Sequence, residues 1–187
     1  SETLLLSNSS DVKIIIYTLK YLNNARDLES KAHILHYIAT HYQTDIPTHD
    51  FIAQGMSFKN EAAFAKWLLA FNINLSFENI RKKSLYEATE IIVKQFLQKS
   101  YNAYIQFFLD IVLERDMKYQ AGIADFLNYW DKKSDKLSIP SPENTEAIRI
   151  ISIHKSKGLE FPVVIFPFAD EDYTRQPKDK LWLETED

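Results

Sequence analysis

The sequence contains no cysteine among its 187 residues. That excludes disulfides, iron–sulfur clusters and thiolate zinc sites, and it fits a reducing compartment, so a cytoplasmic protein is the expectation. No apolar run reaches the roughly 18 residues that a membrane span requires, and no signal-peptide pattern opens the chain, so no membrane partner is expected. Positive charge is scarce too: 22 Lys and Arg against 26 Asp and Glu give a net charge of −4. A protein that grips nucleic acid over its whole surface is thereby excluded, and any such binding has to be local. What remains is ordinary for a soluble globular chain, 45% hydrophobic and 26% charged, with length for one good core or two small ones. The opening Ser1 and the charged ending "LETED" suggest a piece of something longer.

The first residues, "SETLLLSNSSDVKIIIYTLKYLNNARD", read as a short strand, a polar turn and a helix. Ser10 or Asp11 is the expected N-cap, because Val12, Ile15, Ile16 and Leu19 then repeat at helical spacing. A second helix is expected from Ser30 to about Tyr42, broken around Pro47. From Phe51 to Lys133 the chain reads as helices. Its stripes are Leu85, Ala88, Ile92 and Phe96; then Tyr104, Phe107, Phe108 and Ile111; then Ile123, Phe126, Leu127 and Trp130. Such stripes bury against one another as a bundle core, so these aromatics are not evidence of base stacking. The polar, proline-bearing "SDKLSIPSPENTE" from Ser134 to Glu146 marks a boundary. After it, "AIRIISI" and "PVVIFPF" have the β-branched, apolar grammar of strands buried on both faces. The predicted fold is mainly α with a small α/β part, a helical unit inserted into an α/β domain.

Between those two runs lies "HKSKGLE". Ligands of an open α/β sheet gather outside the carboxyl ends of its strands, so this loop is expected on that rim. His154, Lys155 and Lys157 offer donors suited to phosphate oxygens. Gly158 allows a sharp turn or a close backbone approach, with its N–H available. Glu160, when ionised, only accepts hydrogen bonds, which suits hydroxyl groups better than phosphates. These residues describe either a site for nucleotide, nucleic acid or both, or a solvated basic turn in which Gly158 serves only the backbone.

Three other clusters weigh less. His33 and His36 are i,i+3 and could share a metal, but with His41 they read as solvated or core-edge histidines, and no metal site is expected. Arg81–Lys83 reads as a helix-end cap or a solvated run rather than a DNA contact. The acidic stretch around Asp170 reads as a solvated loop rather than a nuclease metal site.

The string "SIHKSKGLEFPVVIF" resembles motif V of the UvrD/Rep group of superfamily 1 helicases, which runs roughly Thr-x-His-x-x-Lys-Gly-Leu-Glu-Phe. Ser152, His154, Lys157, Gly158, Leu159, Glu160 and Phe161 fall on its positions, Ser152 keeping the hydroxyl. The segment from Asp11 and Val12 to Asn24–Asp27 is similar to the family's helix before its accessory insertion, with Ala25 in place of the usual Pro. The wording leans toward the AddA/RecB-like branch, which works in DNA end processing.

The resemblance implies residues 1–45 as the start of the second RecA-like domain (2A), 46–140 as a helical 2B-like insertion, and 141–187 as the motif V part of 2A. It places Ser152 and His154 toward single-stranded DNA, with Lys155 and Lys157 supplying backbone electrostatics. Gly158 and Glu160 lie toward the nucleotide, the Glu at its ribose. It implies ATP and Mg in a full-length parent, with the first RecA-like domain as a partner and, in a helicase–nuclease, a nuclease subunit. This chain has no G-x-x-x-x-G-K-[ST] loop: Gly158 is followed by Leu, and neither Gly55 nor Gly122 begins such a run. Alone, it is therefore expected to bind no nucleotide and to be no enzyme. The competing reading is a non-enzymatic helical interaction module in which the motif is a structural relic.

Overall fold

The structure, a computed structural model, describes residues 4–42, 44–97, 101–139, 152, 156–158, 160 and 163–166. The chain divides into two compact units, Ser1–Glu143 and Asn144–Asp187. The first is helical. Its α-helices are α1 (Ser10–Asn23), α2 (Leu28–His41), α3 (Thr48–Ser57), α4 (Glu61–Leu68), α5 (Phe77–Arg81), α6 (Leu85–Phe96), α7 (Ala103–Tyr119) and α8 (Ile123–Lys133).

The helix starts follow local chemistry. Side-chain oxygens of Ser9, Asp27, Asn60, Ser84 and Asn102 accept from the otherwise orphaned first-turn amides of α1, α2, α4, α6 and α7. At α6 the arrangement is reciprocal: Ser84 Oγ takes the Glu87 amide and the Glu87 carboxylate takes the Ser84 amide. The expected cap of α1 is displaced by one residue, because it is the hydroxyl of Ser9 that reaches the Val12 amide at 3.4 Å. The second helix likewise begins earlier than expected, at Leu28, because Asp27 accepts from both the Ser30 amide and the Ser30 hydroxyl.

Helix α1 is the hub. Val12, Ile14, Ile15, Ile16, Leu19, Tyr21 and Leu22 are all buried, so the helix is apolar nearly all round, as a central helix must be. It packs against α2, α5, α6, α7 and α8. The α6 stripe of Leu85, Ala88, Ile92 and Phe96 is buried as the periodicity predicts. On α7 the buried stripe is rotated from the expected one: Ile105, Phe108, Leu109, Ile111 and Val112 are inside, while Tyr104 and Phe107 are half-buried. Phe126, Leu127 and Trp130 of α8 are buried, and Phe108 meets Phe126 and Trp130 edge-on at 5.7 and 5.4 Å. A second aromatic cluster joins Tyr21, Phe64 and Phe77, with Phe64 and Phe77 stacked at 5.7 Å. Each fully buried Phe contributes roughly 1.5–3 kcal/mol of transfer free energy.

The expected initial strand is instead one antiparallel bridge, Leu5 with Ser138, followed by a 3-10 turn over Leu6–Asn8. The Leu6 amide donates to the Leu137 carbonyl and the Ile139 amide to the Leu4 carbonyl, both at 2.9 Å. The helical unit thus begins and ends side by side. Among the described residues there is no strand, so the fold is mainly α and the expected α/β part is not seen. "AIRIISI" lies outside the described residues except Ser152. Val163–Phe166 of "PVVIFPF", expected as a buried strand, are 60–78% exposed and pair with no neighbour among the described residues. A β-branched run becomes a strand only beside a partner that takes its backbone hydrogen bonds, and none of the described residues does so.

Burial pushes the Tyr21 phenol up to about 12, helped by the Glu61 carboxylate, and burial does the same at Tyr37, helped by Asp11. A phenol raised in the folded state favours folding fully below its unfolded value near ~10 and loses that contribution as pH climbs toward 12. Phenolate absorbance during alkaline titration is expected to show a late class near 12. Tyr21→Phe and Tyr37→Phe should each shrink it, and all tyrosines ionising together would show that neither ring is shielded.

Candidate nucleic-acid and nucleotide interface

Of the residues singled out in the motif, Ser152, Lys157, Gly158 and Glu160 are described; His154, Lys155, Leu159 and Phe161 lie outside the described residues. The Ser156 amide donates to the Ser152 carbonyl at 3.1 Å. At Gly158 the backbone enters the left-handed region, φ +83°. A Cβ built there would meet nothing within 4 Å. The sharp turn expected of this glycine is present, and the open space around it leaves room for a ligand to approach the backbone. A non-glycine residue at that φ is strained however open the space.

Ser152, Lys157, Gly158 and Glu160 are all exposed. The loop therefore offers a hydroxyl, a cation, a left-handed glycine and a carboxylate to solvent within nine residues. A ligand with phosphates and sugar hydroxyls fits this donor–acceptor set: Lys157 can donate to phosphate oxygens, and an ionised Glu160 can accept from hydroxyls.

The helical unit holds charges whose roles differ from the local reading. Arg81 does cap a helix end, as its position suggests, but the end belongs to another helix. Its Nε donates to the Leu22 carbonyl at the end of α1, at 2.7 Å. Its two terminal nitrogens grip both Glu61 oxygens at 2.6 Å. These partners lie 59 and 20 residues away in sequence, so no short-range pattern announces them. Lys82 pairs with Glu78 at 2.8 Å, and Lys83 is exposed. Lys31, which no sequence pattern marks, is buried; its Nζ donates to the Phe58 carbonyl at 2.7 Å and sits 4.4 Å from the Phe64 ring centre. Burial lowers its pKa, with the Glu61 charge opposing.

An open groove of about 570 Å³ runs between the end of α1, the α5–α6 junction and the α7–α8 turn. Its strongest groups are already engaged, Arg81 by Glu61 and Asp116 by the Tyr86 amide at 2.8 Å. His33 stacks on Tyr17 and His41 on Tyr37, which accounts for two of the three histidines of α2. No group of three or more potential metal ligands occurs among the described residues. The acidic stretch around Asp170 lies outside them. Among the described residues, no helix is long and apolar enough to cross a membrane.

Residues 61–176 match the model of the UvrD-like helicase C-terminal domain, and the chain belongs to that family. Among individual proteins it is similar to the ATP-dependent helicase/nuclease A-subunit of Clostridioides difficile (strain 630), 33% identical over 128 residues, covering 58% of this chain and 10% of that protein. The protein of the same name from Ruminiclostridium cellulolyticum is 36% identical over 125 residues, covering 57% of this chain and 10% of its own length. That from Acetivibrio thermocellus is 39% identical over 84 residues, covering 40% and 7%. The chain thus spans about a tenth, or less, of the length of these curated relatives. No solved structure matches it.

Proposed function

We propose that this chain is part of the C-terminal motor region of an ATP-dependent DNA helicase, the helicase subunit of a helicase–nuclease. Such a parent couples ATP hydrolysis to movement along single-stranded DNA and to unwinding. The observation that carries the reading is the motif V loop lying inside the span shared with the helicase family, residues 61–176. The name carried by the similar proteins, which calls them ATP-dependent helicase/nuclease components, supports the same parent.

In this reading Ser152 and His154 face the DNA, Lys155 and Lys157 attract its phosphates, and Gly158 and Glu160 face the nucleotide. ATP, with Mg, supplies the phosphoryl transfer when bound to the parent; the role of this chain is to hold one rim of the site. The exposed Glu160 and the open space at Gly158 favour a sugar approaching this loop. The partners are single-stranded DNA, the first RecA-like domain and a nuclease subunit, and the compartment is the cytoplasm.

The proposed layout keeps residues 1–45 and 141–187 as parts of one RecA-like domain and 46–140 as its insertion. The end of the helical compact unit at Glu143 supports the second boundary. The pairing of Leu4–Leu6 with Leu137–Ile139 joins the start of the 1–45 part to the end of the 46–140 part. The first boundary follows the resemblance alone, since α1 shares one core with α6, α7 and α8.

The test is ionic. In the full-length protein, Lys155→Ala and Lys157→Ala should each weaken single-stranded DNA binding without changing sequence preference. Each should flatten the log–log salt dependence by ~0.7, the counterion share of one phosphate on a single strand. An unchanged slope in both variants would remove these lysines from the DNA path.

A further inference from the structure

The outer face of α1 and α2 carries two exposed ring stacks that the motif V reading does not use. Tyr17 of α1 and His33 of α2 are parallel, 3.9 Å between centroids and 13° between planes. Further along α2, Tyr37 and His41 stack at 4.0 Å and 10°. In each pair the imidazole is the exposed member and the phenol is half-buried behind it. His33, Tyr37 and His41 stand at i, i+4 and i+8, so they share one helix face and the two imidazoles lie about 12 Å apart along it.

The rings of the second stack are held in place. Tyr37 meets Phe96 edge-on at 5.7 Å, and His41 Nδ1 donates to the Tyr37 carbonyl at 3.0 Å. Such a ring loses little conformational freedom when something flat settles on it. A cation flanks the stacks: Lys13, one turn before Tyr17, is exposed, and the side chain of His36 between the two stacks is exposed too. Two carboxylates lie on the same helices. Glu29, one turn before His33, is exposed and bounds the face at that end. Asp11, whose field reaches Tyr37, is engaged by the Asn102 side-chain amide at 2.7 Å. Flat, exposed π-faces beside a cation suit unstacked nucleobases, which stack without regard to sequence while their phosphates meet the charge.

We propose that the α1–α2 face is a stacking platform for single-stranded DNA, with His33 and His41 each presenting a ring to a base and Lys13 meeting the backbone. It is a contact additional to the motif V loop, and it rests on the helicase reading for its ligand. Duplex DNA does not fit, because its bases are already stacked on one another.

The experiment uses the full-length protein and a short oligothymidylate. His33→Ala and His41→Ala should each lower affinity by about five- to 150-fold, the range for losing one base–aromatic stack. Phe at either position should retain affinity, since the ring rather than its nitrogens does the stacking. A direct readout comes from His33→Trp: the fluorescence of the introduced indole should be quenched by the oligothymidylate and not by a duplex of equal length. Saturable DNA binding, followed by anisotropy, that leaves both the indole emission and the affinities of the Ala variants unchanged would overturn the platform and leave the helicase reading standing. An absence of any single-stranded DNA binding would overturn both.

Discussion

Arg81→Ala is expected to destabilise the helical unit by about 2 kcal/mol, read as a lower urea midpoint at unchanged slope. Three hydrogen bonds leave with the guanidinium, two to Glu61 and one to the α1 carbonyl of Leu22, at 2.6–2.7 Å. The remaining Glu61 side chain is only 24% exposed and would be left beside Tyr21 and Lys31 without its main partner. A fully buried pair broken on one side costs about 3–5 kcal/mol, and the partial exposure of both members lowers that figure here. The Lys82–Glu78 pair is the internal control. It is nearly as short, 2.8 Å, but its side chains are 67% and 78% exposed, so Lys82→Ala should leave the midpoint within experimental scatter. Arg81→Lys should not restore stability, because an ammonium cannot hold two carboxylate oxygens and the carbonyl at once. Equal, negligible effects at both positions would mean that the Arg81 clamp is a surface pair in energetic terms.

That clamp also shows where sequence reading stops. The α6 stripe from Leu85 to Phe96 is legible because one helix face carries the whole signal at 3.6-residue spacing. On α1 the expected stripe of Val12, Ile15, Ile16 and Leu19 is buried, and Ile14, Tyr21 and Leu22 are buried beside it. On α7 the pattern misleads: Tyr104 and Phe107 look like core but stay half-buried, because a long aromatic can cover an edge without entering it. Helix starts shift by a residue or two where neighbouring cap residues compete, as at Ser9 and Asp27. Arg81 and Lys31 are illegible for a different reason. Their partners, Glu61, Leu22 and Phe58, come from elsewhere in the chain, and only tertiary packing brings them together.

The loop divides in the same way. Its identity is legible because the string from Ser152 to Phe161 is long and ordered, and the left-handed backbone at Gly158 is the conformation a glycine there suggests. The strands expected on either side are not legible in the same sense. β-branched composition specifies a readiness to pair, whereas Val163–Phe166 take their final state from whatever backbone lies beside them. The role of each loop side chain is a further step, and it depends on which ligand atoms come within reach.

Glu160 is where a ligand-specific measurement has the largest leverage. If its carboxylate accepts hydrogen bonds from the ribose, wild-type full-length protein should lose affinity on going from ATP to 2′,3′-dideoxy-ATP. A hydrogen bond to an ionised group is worth roughly 1.5–3 kcal/mol, so the loss should be about 10- to 150-fold. Glu160→Ala should bind ATP correspondingly more weakly and scarcely distinguish the two nucleotides. The cycle built from these four affinities isolates the carboxylate–hydroxyl coupling, because any general damage to the loop weakens both ligands alike and cancels. The competing role is structural: a carboxylate can order its own loop by accepting from nearby backbone amides. Glu160 is exposed and accepts no hydrogen bond among the described residues, so none of them commits it to that task. A coupling near zero, with Glu160→Ala still discriminating against the dideoxy nucleotide as strongly as wild type, would return Glu160 to a structural role. A large coupling would place the sugar of the nucleotide at the end of the Gly158 turn.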